Sequence, residues 1–421
     1  MGDSAASRFQ RATGRLLGGD SGGDLALVVG AFAAYGVVDA GSRLVANVQA
    51  DRLDGSVLLV GAIASNPVAY TAMLVALGML LWRAPRRVWS RWDDLEQGRV
   101  LRLLTIPLVL LVAWQSSLYE FNFLLGQAHF FDRALVLVLA GACLARPLFI
   151  VPLVVESRII ANQFEFPFGT TAAQNIDELL LIALSAIAGI HILYVITGRR
   201  ETAPVVLVLS AALAAHFYIP GSTKLVGGWL VNNDLSNLPL SGYTAGWRGD
   251  GSGRWAQQMS SITESLGRFG LAGTLVLELG SILALLHYRL LRIWLPACIL
   301  FHLIVFAFVG FWFLPWIVLE AALIALTTRP ELRGWLNQNV TPARTLVTVG
   351  AVVVGGSSLF HPPTLSWLDA PVSYGYRIEA TGESGTQYLV PSSAFAPYQQ
   401  ELAFFQLQAG PRQPVSAAYG A

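Results

Sequence analysis

The chain has 421 residues, 54% of them hydrophobic and only 13% charged, with 27 Lys and Arg against 26 Asp and Glu. That composition excludes an ordinary soluble domain and places the chain among polytopic membrane proteins. A formal charge of +1 gives no global basicity, so nucleic acid is not an expected partner and membrane lipid is.

Residues 1–23 are rich in Gly, Ser and Arg, with Arg8, Arg11 and Arg15, and lack a signal-peptide pattern ending in a small-residue cleavage site. They read as a flexible cytoplasmic leader. Apolar length then predicts spans near 24–48, 67–82, 103–119, 132–155, 177–197, 203–219, 271–288, 293–312, 313–327 and 342–360. In the first, Tyr35, Asp39, Arg43 and Asn47 recur every four residues, so they share one stripe and Asp39 can pair with Arg43. The expected role of that pair is to lock the helix into the bundle.

Arginines orient the spans, because basic residues collect in cytoplasmic loops. Arg83, Arg86, Arg87, Arg91, Arg99 and Arg102, then Arg199 and Arg200, Arg289 and Arg292, and Arg329, Arg333 and Arg344 all argue for the inner side. Placing both residues 83–102 and Arg199 inside conflicts with three simple crossings between them. The conflict is resolved if Arg146-Pro147, with Pro152 close by, splits the fourth stretch into re-entrant or additional pieces. The resulting expectation is an all-α membrane bundle of about nine transmembrane helices over residues 24–360. Its N-terminus is cytoplasmic and its C-terminus extracytoplasmic, in the plasma membrane for a bacterial chain.

Residues 361–421 differ in texture. Two β-prone runs, 374–380 and 386–390, flank a glycine turn at Gly382 to Gly385, which predicts a hairpin in a small extracytoplasmic segment. A short helix near 399–407 and a disordered end follow. Cys143 and Cys298 lie in apolar runs and read as small hydrophobes. The histidines lack close ligand spacing, so no metal is expected. The stretch Arg248-Gly249-Asp250-Gly251-Ser252-Gly253-Arg254 has no preceding strand and reads as an outer loop, not a phosphate-binding turn.

The residues that invite chemistry are ionisable groups within or beside apolar runs, which by default mark a site. Lys224 follows Pro220 and Gly221, which are expected to break the helix just before it, and precedes Trp229, placed to anchor the next segment at the interface. Glu278 in Leu277-Glu278-Leu279 and His302 in Phe301-His302-Leu303 sit deeper, and His129 precedes Phe130-Phe131 at the mouth of the third span. His191, His216 and Glu320 form a second rank. Each of these residues alone is as well explained by helix packing or by snorkelling to the headgroups.

The ordered set resembles a known family. Phe217-Tyr218-Ile219-Pro220-Gly221-Ser222-Thr223-Lys224-Leu225 followed by Trp229, with His129 upstream and Glu278 and His302 downstream, resembles the membrane domain of the vitamin K-dependent γ-carboxylases and the bacterial HTTM proteins. The resemblance implies a reduced quinone, menaquinone or vitamin K hydroquinone, as cofactor. It implies Lys224 as the base that takes a quinol proton, His129, His302 and Glu278 as further catalytic residues, Tyr218 and Trp229 as quinone contacts, and a protein or peptide as substrate. A desolvated amine can hold its neutral form and accept a proton, which suits that role. In the family the quinol anion reacts with oxygen, and the strong base so formed takes a γ-proton from glutamate before carbon dioxide adds. Thr223 stands where the animal enzymes carry a second lysine, and residues 361–421 are much smaller than their lumenal region. The expectation is therefore a quinol-using oxidoreductase or carboxylase-like enzyme. The alternative is a non-enzymatic HTTM protein of peptide or bacteriocin maturation or export.

Overall fold

A computed structural model describes residues 22–50, 84–117, 128–165, 178–232, 253–309, 313–330, 342–362 and 379–389, with Val68, Thr71, Leu74, Val75, Gly78, Trp82, Leu235 and Pro239. The expected second span therefore lies largely outside the described residues, as do the loop at 248–252, the helix near 399–407 and the chain end.

The described chain is a helical bundle. Its helices are α1 (Gly22–Ala50), α2 (Pro85–Val88), α3 (Gly98–Ser117), α4 (Ala128–Ala145), α5 (Ile150–Glu165), α6 (Glu178–Thr197) and α7 (Pro204–Val226). They continue as α8 (Trp229–Asn232), α9 (Arg254–Leu279), α10 (Ser281–Leu286), α11 (Tyr288–Val309), α12 (Leu314–Thr328), α13 (Pro342–Val353) and α14 (Gly356–Leu359). Among the described residues six stretches are long and apolar enough to cross a membrane: Leu25–Ala46, Gly98–Ser116, Glu178–Thr197, Pro204–Val226, Arg254–Leu286 and Tyr288–Phe308. Leu314–Thr328 and Ala343–Val353 are shorter apolar helices. The structure thus gives six clear spanning candidates where the sequence pattern suggests about nine crossings.

α6 and α7 form the centre. Leu179 to His191 of α6 and Val208 to Phe217 of α7 are buried without interruption, as expected of helices that are apolar on every face. α1 packs closely on α6, and Gly189 is what permits it, since a Cβ there would lie 2.7 Å from the backbone nitrogen of Tyr35. Small residues at such contacts let backbones approach where no hydrophobic force separates lipid from protein. Tyr35 donates to the Leu359 carbonyl at 2.6 Å and stacks on Phe360, tying the end of α14 to α1.

The predicted fourth span is two helices. α4 ends at Ala145, Arg146 is extended, a short 3-10 turn covers Pro147–Phe149, and α5 begins at Ile150. Pro147 cannot donate to the preceding turn and its ring disfavours helix at Arg146, which explains the break. The break sits beside the arginine-rich turns. The Arg146 guanidinium donates to the Trp89 carbonyl, Arg87 to that of Val195 at 3.0 Å, the Trp92 indole to that of Cys143 at 3.0 Å, and Glu96 N–H to that of Arg200 at 2.8 Å. Residues 84–98, the α4–α5 turn and the α6–α7 turn therefore meet at one end of the bundle, as the arginine pattern requires.

A cysteine at Asp93, exposed at this end, is expected to resist a membrane-impermeant thiol reagent in intact cells, while one at exposed Ser384 reacts. The native Cys143 and Cys298 are fully buried and give no background. Labelling of the Asp93 position and protection of Ser384 would reverse the orientation.

α7 departs from expectation, and the tail follows it. α7 runs unbroken through Pro220 and Gly221 to Val226, so Lys224 lies in its last turn and not beyond a helix break. Pro220 withholds one donor from the His216 carbonyl without ending the helix, because packing on both sides holds the backbone in place. In the tail, β1 (Glu379–Thr381) and β2 (Gln387–Leu389) pair antiparallel with Ala380 opposite Tyr388, and Gly385 takes φ +78° in the turn. The predicted hairpin is present, with residues 374–378 outside the described residues.

Candidate functional site

Three stretches well separated in sequence converge on one cavity. α7 supplies His216, Phe217, Pro220 and Lys224, α8 supplies Trp229, α9 supplies Thr274 and Glu278, and α11 with the start of α12 supplies Phe301, His302, Val305, Phe313 and Trp316. The cavity is open at one side, and the space it encloses together with that mouth is about 680 Å³.

Lys224 and Glu278 form an ion pair on one wall, their side chains 4% and 5% exposed. Gly221 makes that pairing possible: a Cβ at this position would lie 2.7 Å from the Cβ of Glu278. The Lys224 ammonium also lies 5.3 Å from the Trp229 ring centroid, a cation–π distance. Trp229 is consequently buried, at 3% exposure, rather than set among headgroups as an interfacial anchor. Its ring face is used by Lys224, while its indole N–H has no hydrogen-bond partner among the described residues.

His216 and His302 supply the other polar edges. His216 Nδ1 is 2.8 Å from the Ala212 carbonyl, which can only accept, so Nδ1 carries the proton. Its Nε2 has no partner among the described residues. His302 Nε2 lies 3.1 Å from Glu320 Oε1, and its Nδ1 is likewise buried without a partner there. Around these groups the walls are aromatic. The His302 ring centroid is 4.5 Å from that of Phe313, 5.3 Å from Trp316 and 5.6 Å from Phe217.

Of the residues singled out in the sequence, Lys224, Glu278, His302 and Trp229 share this cavity. Tyr218 is half-buried against the main core and does not line it. The backbone of His129 falls at the start of α4, but its side chain lies outside the described residues. Sequence reasoning gave His216 and Glu320 only a second rank and missed Phe217, Thr274, Phe313 and Trp316, whose types carry no signal inside apolar helices. Among the described residues no group of three or more His, Cys, Asp or Glu could hold a metal ion.

A second polar cluster lies away from the cavity. Arg158 of α5 is bonded to Asp39 of α1 and to both carboxylate oxygens of Glu178 of α6, at 2.9 and 3.0 Å, and donates to Ser42 Oγ at 2.8 Å. Arg43 bonds the same two carboxylates, reaching Asp39 at 2.9 Å. The result is a ring of two guanidinium and two carboxylate groups that joins three helices. The Asp39–Arg43 pair expected from their spacing is one side of it.

No family model, curated protein or solved structure matches this chain.

Proposed function

We propose that this chain is an integral membrane oxidoreductase or carboxylase-like enzyme that binds a reduced quinone between α7, α9, α11 and α12 and takes a proton from it with Lys224. The observation that supports this most is the meeting of Lys224, Glu278, His302 and Trp229 on one aromatic-walled cavity. The walls suit a flat ring, and the rim suits its oxygens: the Trp229 N–H is a donor and His216 Nε2 an acceptor, both buried and without a partner among the described residues. Buried polar groups are normally satisfied, so such atoms beside a cavity point to an occupant.

When bound, a reduced quinone supplies electrons and ionisable hydroxyl groups. Lys224 can accept a hydroxyl proton only as the free amine. Its pairing with Glu278 provides for that, because the carboxylate can take the ammonium proton and leave a neutral amine on the cavity wall. The Trp229 ring covers the resulting cation once the proton has been transferred. In this reading the chain crosses the membrane an odd number of times, about nine, with its N-terminus cytoplasmic and its C-terminus outside, and a protein or peptide is the final substrate. A non-enzymatic role in peptide or bacteriocin maturation or export would also account for the ion pair, as a packing element, but among the described residues it names no partner for Trp229 Nε1 and His216 Nε2. Oxygen uptake by the purified protein in lipid nanodiscs supplied with reduced menaquinone tests the reading. Uptake no faster than in protein-free nanodiscs would contradict it.

A further inference from the structure

We propose that His302 and Glu320 form a second proton-accepting centre in the cavity, so that the site serves an aromatic diol with two ionisable hydroxyls. This rests on the quinol-site reading above and assigns the wall opposite in kind to the Lys224–Glu278 pair. Glu320, on α12, does not line the cavity; it stands behind His302 at 3.1 Å from Nε2. Both side chains are buried, at 2% and 0% exposure. With Glu320 ionised, as the proposal requires, His302 Nε2–H donates to it and Nδ1 is left as a lone pair. Nδ1 is the atom without a partner among the described residues, and His302 lines the cavity. A base oriented by a carboxylate, with its other nitrogen unpartnered among the described residues and its ring on the cavity wall, has the parts that general-base catalysis uses.

The step is a proton transfer and needs no co-reactant. The O–H bond of a bound hydroxyl breaks, an Nδ1–H bond forms, and the imidazolium is balanced by the Glu320 carboxylate while the ligand keeps the negative charge. Glu320 touches no ligand and is a positioning residue. Of the titratable groups, Glu320 from α12 contacts His302 and Cys298 lies one turn earlier on α11 itself, while His216 and Lys224 from α7 and Glu278 from α9 line the same cavity.

The probe is 1,5-dihydroxynaphthalene, whose absorbance reports ionisation of each hydroxyl, bound to the full chain in nanodiscs and titrated with pH. Bound to the native protein, both hydroxyls are expected to ionise at lower pH than in the free diol. Glu320→Gln should leave binding of the neutral diol intact and raise one midpoint by about one pH unit or more, a tenfold loss of proton affinity. His302→Gln should raise the same midpoint, the double variant no further, and Glu320→Asp should recover part of the shift. Lys224→Met should move only the other midpoint. If Glu320→Gln does not fold, His302→Gln against Lys224→Met makes the same comparison. Unchanged midpoints in Glu320→Gln, or effects of Glu320→Gln and His302→Gln that add, overturn the dyad while leaving the quinol site standing. A native protein that does not bind the diol overturns both.

Discussion

Lys224→Arg is expected to abolish quinol-dependent oxygen uptake as completely as Lys224→Ala, a loss of about 10²–10⁴-fold set by the contribution of a general base. Arginine keeps the positive charge, can still pair with Glu278, and can lie over Trp229, so every packing role of the lysine survives. It cannot give up its proton, and so cannot accept one. The wall here is tight, because Gly221 brings α7 against Glu278 and the lysine is 4% exposed. The comparison therefore includes thermal unfolding of each variant in the same nanodiscs, to separate lost folding from lost chemistry. An Lys224→Arg protein that folds and turns over near the native rate would remove the base and leave Lys224 as a packing residue.

Arg158→Leu is expected to cost about 3–5 kcal/mol of stability, the usual penalty for removing one partner of a buried ion pair. The ring of Asp39, Arg43, Arg158 and Glu178 is neutral as a whole, and the Arg158 and Asp39 side chains are 5% and 4% exposed. Losing Arg158 leaves two carboxylates to one guanidinium where little water reaches, and it removes the ionic link from α5 to α1 and α6. Arg158→Leu combined with Asp39→Leu restores neutrality, with Arg43 still paired to Glu178, and is expected to be less destabilised than the single variant. Such coupling is what a double-mutant cycle measures. Denaturant unfolding of the purified protein in mixed micelles reads both, and a loss below about 1 kcal/mol in Arg158→Leu, the worth of an exposed pair, would show the ring to be solvated.

Much of the site was legible because charge inside an apolar run is conspicuous. Lys224, Glu278 and His302 stood out for that reason, and Asp39 with Arg43 stood out through a spacing that one helix face imposes. Arg158 carried the same signal in Val155-Glu156-Ser157-Arg158, yet its partners lie on α1 and α6, and pairing between helices follows from packing that no local pattern encodes. The aromatic walls were hidden for the opposite reason, since Phe217, Phe313 and Trp316 in apolar helices look like any lipid-facing or core residue. Arg146-Pro147 was legible as a break through proline chemistry and charge parity together. Pro220 misled, because proline near a helix end can be carried by the packing around it, and the helix continued to Val226. The number of crossings was least legible: helices as short as α12 satisfy no length rule, and the second span falls largely outside the described residues.

The central claim is that the cavity between α7, α9, α11 and α12 holds a quinone, and the most direct measurement is of what the protein carries out of the membrane. The protein is purified from a menaquinone-producing host and extracted with organic solvent, and the extract is analysed by mass spectrometry. The account predicts a quinone in stoichiometric amount, enriched far beyond its share of the bulk lipid, and displaced by added 1,5-dihydroxynaphthalene. Quinone present only at its bulk share, with no uptake of added menaquinone by the purified protein, would contradict it.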